Sequence, residues 1–158
     1  MSKFVADHLN IELIARLSAD TAIERANVAI VICTVDEHGW PHPAMLSTLE
    51  VVATDARNIR IATHVASRTT RNLTANGRLS LILADEQGVY YLKGDALLLA
   101  PAMRIVPHYA KFNFRVDSVL KDDPTESEHA RVVSGIQVER PAVDVQAARS
   151  LLDELLAG

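Results

Sequence analysis

The residues with the most chemical potential lie between Ser67 and Gly77, in the stretch SRTTRNLTANG. Three hydroxyls, Ser67, Thr69 and Thr70, stand beside the cation Arg68, and Arg71 follows one position later. Ser67 reads as a helix N-cap, Leu73 as the apolar anchor of a short helix, and Gly77 as its C-terminal stop. The first turn of such a helix carries unpaired backbone N–H groups and the positive end of the helix dipole. A phosphate placed at that corner meets donors from backbone, hydroxyl and guanidinium together. The plainer reading is a capped connecting helix with solvated arginines, and the surrounding chain has to decide between the two.

The other reactive side chains form weaker patterns. His42 enters a strand in Pro41-His42-Pro43, where a histidine is more often a hydrogen-bonded structural residue than a ligand. His64 follows a strand and stands nearer the expected phosphate. The six histidines show neither HExxH nor paired short spacing, so no metal site is expected. Convergence of His42 and His64 on a haem stays open. Cys33, within VAIVICTV, reads as a buried, inert thiol, and a single cysteine excludes an internal disulfide. Ser134-Gly135 lacks the GxSxG elbow of serine hydrolases. Tyr90 and Tyr91 alternate faces, so at most one reaches a ligand.

These side chains need a scaffold. Leu9, Leu13, Ile14 and Leu17 recur at helical spacing, which predicts a helix over about 5–17, broken at Ser18-Ala19-Asp20. A further helical turn is expected at Thr21 to Arg25. Val28 to Val35 reads as a buried strand rich in β-branched residues. After the turn Asp36 to Gly39, Pro43 to Val52 reads as its hairpin partner. Ile59 to Thr63, Leu79 to Ala84 and Val89 to Leu99 are the next three strands. Lys111 to Leu120 alternates, with Phe112, Phe114 and Val116 on one face and Asn113, Arg115 and Asp117 on the other. Short turns make neighbours antiparallel, and six strands with one inserted helix suggest a barrel, because closure removes edges. Lys121 to Glu128, acidic and containing Pro124, reads as an exposed loop. Arg131 to Glu139 reads as a last strand broken at Gly135. Asp144 to Leu156 reads as a helix with a stripe of Ala147, Leu151, Leu152, Leu155 and Leu156.

Composition narrows the class. A chain of 158 residues fits one domain with a real core, residues 1–158, the barrel occupying about 26–120 and a helix about 144–156. A net charge of −4 argues against a duplex nucleic-acid partner, which needs a basic face. No secretory or membrane-spanning apolar run is evident, so a cytoplasmic protein is expected.

The order of motifs resembles the pyridoxamine 5′-phosphate oxidase-like split-barrel flavoproteins. The resemblance runs from about Ala26 to Leu99. It rests on a strand ending in Thr34-Val35, a turn with Gly39, and Pro41-His42-Pro43 opening the next strand. A strand ending in Thr63 follows, then Ser67-Arg68, Arg71-Asn72-Leu73 and Lys93-Gly94-Asp95-Ala96. It implies a mainly β (α+β) fold, a six-stranded antiparallel split β-barrel with flanking helices. It also implies FMN, or in one branch a deazaflavin, bound at a homodimer interface. Thr63, Ser67 and Arg68 match the family's phosphate positions, with Thr69 and Arg71 as weaker assistants. Ser47 and Thr48 lie on the strand that runs along the flavin ring, and Met45, Leu46 and Ser47 are the ring candidates. Two departures stand out. Thr69 occupies a position where members often carry lysine. Ala44 and Leu49 occupy positions that are basic in the true oxidase, and the leucine-rich tail has no counterpart to its basic substrate segment. The expected activity is therefore flavin-dependent oxidoreduction on an unidentified small molecule. The alternative is a non-catalytic or altered-ligand module taking a deazaflavin or haem.

Overall fold

The computed structural model describes residues 2–122 and 129–158. Its strands are β1 (Lys3–Ala6), β2 (Val28–Val35), β3 (Pro41–Ser47), β4 (Val51–Ala53), β5 (Asn58–His64), β6 (Arg78–Asp85), β7 (Gly88–Ala100), β8 (Tyr109–Asp122) and β9 (Ile136–Gln137). Its helices are α1 (Ile11–Arg16), α2 (Ala19–Ala22), α3 (Arg68–Asn76) and α4 (Val145–Leu156), with a 3-10 turn at Thr48–Glu50. All pairings are antiparallel, in the order β3-β2-β6-β7-β8-β5-β4, with β1 added to β8 and β9 to β2. The two ends of that order, β3 and β4, are consecutive in sequence and joined only by the 3-10 turn. The sheet therefore curls until its ends meet there, and the opening between them is the split of a split barrel.

The strand count differs from six for local reasons. The expected strand over Pro43 to Val52 is two strands, because Ser47-Thr48-Leu49-Glu50 forms a capping box. The Ser47 N–H donates to the Glu50 carboxylate at 2.6 Å, and Ser47 Oγ accepts from the Leu49 N–H at 3.2 Å. The expected helix over 5–17 starts only at Ile11, where Asn10 accepts from the Leu13 N–H at 2.9 Å. Residues 3–6 instead pair with the end of β8, Phe4 opposite Leu120. A free strand edge outcompetes helix propensity there. Ser18 caps α2 rather than breaking a helix, accepting from the Asp20 N–H, so the helical turn begins before Thr21. Lys121 and Asp122 complete β8, and the rest of the expected loop, 123–128, lies outside the described residues. Of Arg131 to Glu139 only Ile136–Gln137 is strand, and Gly135 admits no side chain because the Ala84 carbonyl lies 2.2 Å from its would-be Cβ.

The barrel interior is filled by Ile30, Ile32, Ile59, Ile61, Leu81, Phe112 and Phe114, all essentially sealed from solvent. Leu13 of α1 and Leu73 of α3 enter this same core from opposite mouths. At one mouth Arg16 reaches Asp85, the last residue of β6, at 2.6 Å. At the other, α3 ends at Gly77, in the left-handed region (φ 69°), and leads straight into β6. The alternation over Lys111 to Leu120 holds for Phe112, Phe114 and Val116 inward and for Asn113, Arg115 and Asp117 outward.

The outer face of β4 and β5 packs under α4, where Leu151, Leu152 and Leu155 meet Val52, Ala62 and Met103. The buried stripe uses Ala148, whereas Ala147 and Leu156 are exposed. Lys111 is buried here: its Nζ donates to the Glu154 carbonyl at 2.8 Å and to the Ala157 carbonyl, a cation on the helix C-terminus. The Glu154 carboxylate in turn accepts from the backbone N–H groups of Arg104, Ile105 and Val106.

Candidate functional site

Ser67 caps α3 as its sequence position requires. Its Oγ accepts from the Thr70 N–H at 3.1 Å, and Gly77 ends the helix with its N–H on the Leu73 carbonyl. The hydroxyls of this corner converge on Thr70. Thr70 Oγ1 donates to the His64 carbonyl at 2.7 Å. Its lone pairs then accept from Ser67 Oγ at 3.1 Å and from Thr63 Oγ1 at 2.6 Å. Both Ser67 and Thr63 have thus spent their protons inside the fold, and Thr63 is 1% exposed. The donors left for an anion are the first-turn N–H groups of Arg68 and Thr69, which precede the first intrahelical bond, Arg71 N–H to the Ser67 carbonyl. Beside them stands the exposed Arg68 side chain. Thr69 is 5% exposed and turned into the packing.

Arg68 and Arg71 line a cavity of about 430 Å³ between α3 and the β2–β3 turn, together with Asp36, Glu37 and His38. Hydrogen bonds from the Trp40 and His38 N–H groups hold the Asp36 carboxyl below its usual range. One wall of this cavity is therefore cationic and the other anionic. Asn72 and Asn76 fasten α3 to β2, donating to Thr34 Oγ1 and to the Val35 carbonyl.

The split supplies the second part of the site. β3 ends the sheet order, so its outer edge is unpaired. β4 pairs only with Ile59 to Ile61, leaving Ala62 to His64 without a strand partner on that side, although the His64 carbonyl accepts from the Ser67 N–H and the Thr70 hydroxyl. Two backbone edges without a strand partner thus flank the opening. Of the three ring candidates on β3, the Met45 side chain is 61% exposed, Leu46 packs into the core, and Ser47 is held in its capping box. Leu46 and Ser47 have only backbone to offer a ligand.

The remaining candidates separate in space. His42 is half-buried and its carbonyl accepts from Thr34 Oγ1 at 3.4 Å, whereas His64 is exposed and takes the Ala66 N–H on Nδ1 at 3.3 Å. Among the described residues no group of three or more His, Cys, Asp or Glu is placed to hold a metal ion. Cys33 is half-buried rather than buried, because it lies on the outward face of β2, opposite Pro43 and Ser80. Tyr90 is sealed in the core under the Arg16 guanidinium, and Tyr91 faces outward. Sequence reasoning named Thr70 only as a phosphate donor and not as the hub of the corner, and it missed His108 and Tyr109. The spacing Ser67-x-x-Thr70 signals the first, since the N-cap hydroxyl meets the third helical position. Nothing local signals the other two, which reach His64 only through strand pairing: Tyr109 stands opposite it, and the His108 ring is 6.3 Å from its ring.

Known proteins supply an independent comparison. YclD of Bacillus subtilis (strain 168) is 30% identical over 116 residues, covering 73% of each chain. A crystal structure of a protein related to general stress protein 26, of the pyridoxinephosphate oxidase family, from Clostridium acetobutylicum has a TM-score of 0.52. It is 14% identical and covers 81% of this chain and 97% of its own. A histidine-to-alanine variant of HupZ from Group A Streptococcus has a TM-score of 0.52 at 15% identity, covering 67% of this chain and 99% of its own. At such identities the structural likenesses show the fold alone. The family model described as pyridoxamine 5′-phosphate oxidase matches residues 19–126, from α2 through the barrel and past β8, and this chain belongs to that family.

Proposed function

We propose that the chain is a flavin-binding oxidoreductase, with FMN as the preferred cofactor and a deazaflavin as the variant, acting on a small molecule. The observation that carries this reading is the corner at the start of α3: two uncommitted N–H groups and the exposed Arg68 guanidinium, adjoining a split flanked by backbone edges without a strand partner. Those groups fit a phosphomonoester at one end and the polar edge of a planar ring along β3 at the other. A bound flavin would supply hydride or single-electron chemistry. The chain's own residues bind, orient and exclude water. Arg68 and the helix N-terminus neutralise the phosphate, Met45 covers an apolar face, and Thr63, Ser67 and Thr70 hold the corner rigid.

The same reading includes a homodimer. A cross-strand row of apolar side chains, Met45, Val31, Ile82, Tyr91, Leu120 and Phe4, crosses the outer sheet face, and no element among the described residues covers it. A second copy on this row would border the split at Met45 and enclose a ligand from both sides. A cytoplasmic location fits the reading; among the described residues no helix is long and apolar enough to cross a membrane. The visible spectrum of protein titrated with FMN tests the cofactor: saturable binding with a shifted flavin absorption band is the expected result. A chain that leaves the FMN spectrum unchanged would be a non-catalytic or altered-ligand module instead.

A further inference from the structure

A second cavity, of about 320 Å³, lies under α4 and shares no lining residue with the one beside Arg68 and Arg71. Leu49, Val106, Pro141, Val143 and Leu151 are among its walls, and none of Ser67, Arg68 or Arg71 lines it. Four polar residues converge on it: His108, Tyr109, Arg140 and Asp144. Their hydrogen-bonding capacity is unequal. Asp144 caps α4, its Oδ1 accepting from the Gln146 and Ala147 N–H groups at 3.0 Å each, so its charge is already matched by the helix terminus. Burial and the neighbouring Glu50 carboxylate keep the proton on the Tyr109 hydroxyl. Arg140 is exposed and lines the cavity. A largely apolar chamber of this size with an exposed guanidinium in its wall suits an organic anion with an apolar body.

We infer that this cavity is a binding site for a small aromatic or branched aliphatic carboxylate, with Arg140 pairing its carboxylate and Leu49, Val106, Val143 and Leu151 holding its apolar body. The site is separate from the flavin reading, because it shares no residue with the corner at α3. His108 sits on its rim, with its ring 6.3 Å from that of His64, so the two sites are neighbours.

Naphthalene-2-carboxylate and its neutral amide, naphthalene-2-carboxamide, test the inference when titrated into the ¹⁵N-labelled full chain. The carboxylate should shift amide signals at Val106 to Tyr109 and at Val143 to Leu151, and bind roughly tenfold or more tightly than the amide. Arg140→Gln, at an exposed position, should erase that difference and leave amide binding unchanged. Ala147→Trp, at an exposed lining position, should block both ligands. Equal affinity of acid and amide, shifts centred instead on Phe4 and Met45, or no shift at millimolar ligand would each overturn the assignment. None of these outcomes depends on FMN, so failure here leaves the phosphate corner untouched, and failure of FMN binding leaves this site untouched.

Discussion

Thr69 illustrates how burial redirects a chemical argument. By sequence it stands where the family often carries lysine, which invites the substitution Thr69→Lys as a way to strengthen phosphate binding. In the fold Thr69 packs against the barrel at 5% exposure. A four-carbon ammonium there overpacks the α3 interface, so Thr69→Lys should destabilise the protein by about 1–3 kcal/mol. Thermal unfolding measures this, and an unchanged melting temperature with tighter FMN would mean that the side chain faces the corner. Ser67 as the cap was legible because a cap is a local device, whereas the direction of Thr69 depends on where α3 docks. Tyr109 carries a second residue-scale prediction. Burial, and then the negative charge and hydrogen bond of Glu50, push its hydroxyl up to about 12. In the unfolded chain it ionises near the ordinary value of about 10. The unfolded state therefore loses this proton first, and stability present below about pH 10 is lost as pH rises towards 12. Tyr109→Phe should flatten the fall in melting temperature over that window. An equally steep fall in the variant would assign the loss to other groups.

At the scale of elements, the strands with clean alternation or β-branched runs were readable, and those formed by pairing alone were not. Residues 3–6 carry no strand signal strong enough to oppose the helical spacing that follows. Their state is set by the free edge of β8. The division of β3 from β4 was legible in principle, since Ser47-Thr48-Leu49-Glu50 spells a capping box, but the apolar run around it conceals the break. The position of α4 rests on a long-range latch. Lys111 Nζ bonds the Glu154 and Ala157 carbonyls, and Lys111 is buried beneath the helix. Desolvation, then the Arg60 charge, lowers its pKa, while Glu154 opposes that shift. Lys111→Met keeps the stem's apolar volume and removes the ammonium. It should cost about 1.5–3 kcal/mol, since bonds to a charged group are lost. Hydrogen exchange should speed up in α4 before the barrel strands. Uniform acceleration across the barrel would mean that Lys111 supports the whole fold and not the latch.

For the whole molecule, the barrel class was legible because short turns and one inserted helix leave few ways to close a sheet. Where the sheet closes was not, since that depends on β3 and β4 meeting across a three-residue turn. The capped corner at the start of α3 was legible as a place in the fold but not as a donor inventory: strand pairing and the docking of α3 decided that Thr63 and Ser67 give their protons to Thr70. The outer sheet row makes a prediction at this scale. Phe4 and Met45 are 64% and 61% exposed, so charging them leaves the core intact. Phe4→Asp with Met45→Asp should convert a dimer to a monomer in sedimentation velocity at micromolar concentration. A persistent dimer would move the interface elsewhere. The central claim, that the start of α3 holds a flavin phosphate, is tested most directly by calorimetric titration of FMN and riboflavin into the wild-type chain and Arg68→Ala. A charge-assisted hydrogen bond of about 1.5–3 kcal/mol predicts that FMN binding weakens roughly ten- to a hundredfold in the variant. Riboflavin, which has no phosphate, should change far less. Equal losses for the two ligands, or equal affinities in the wild type, would contradict a phosphate at this corner.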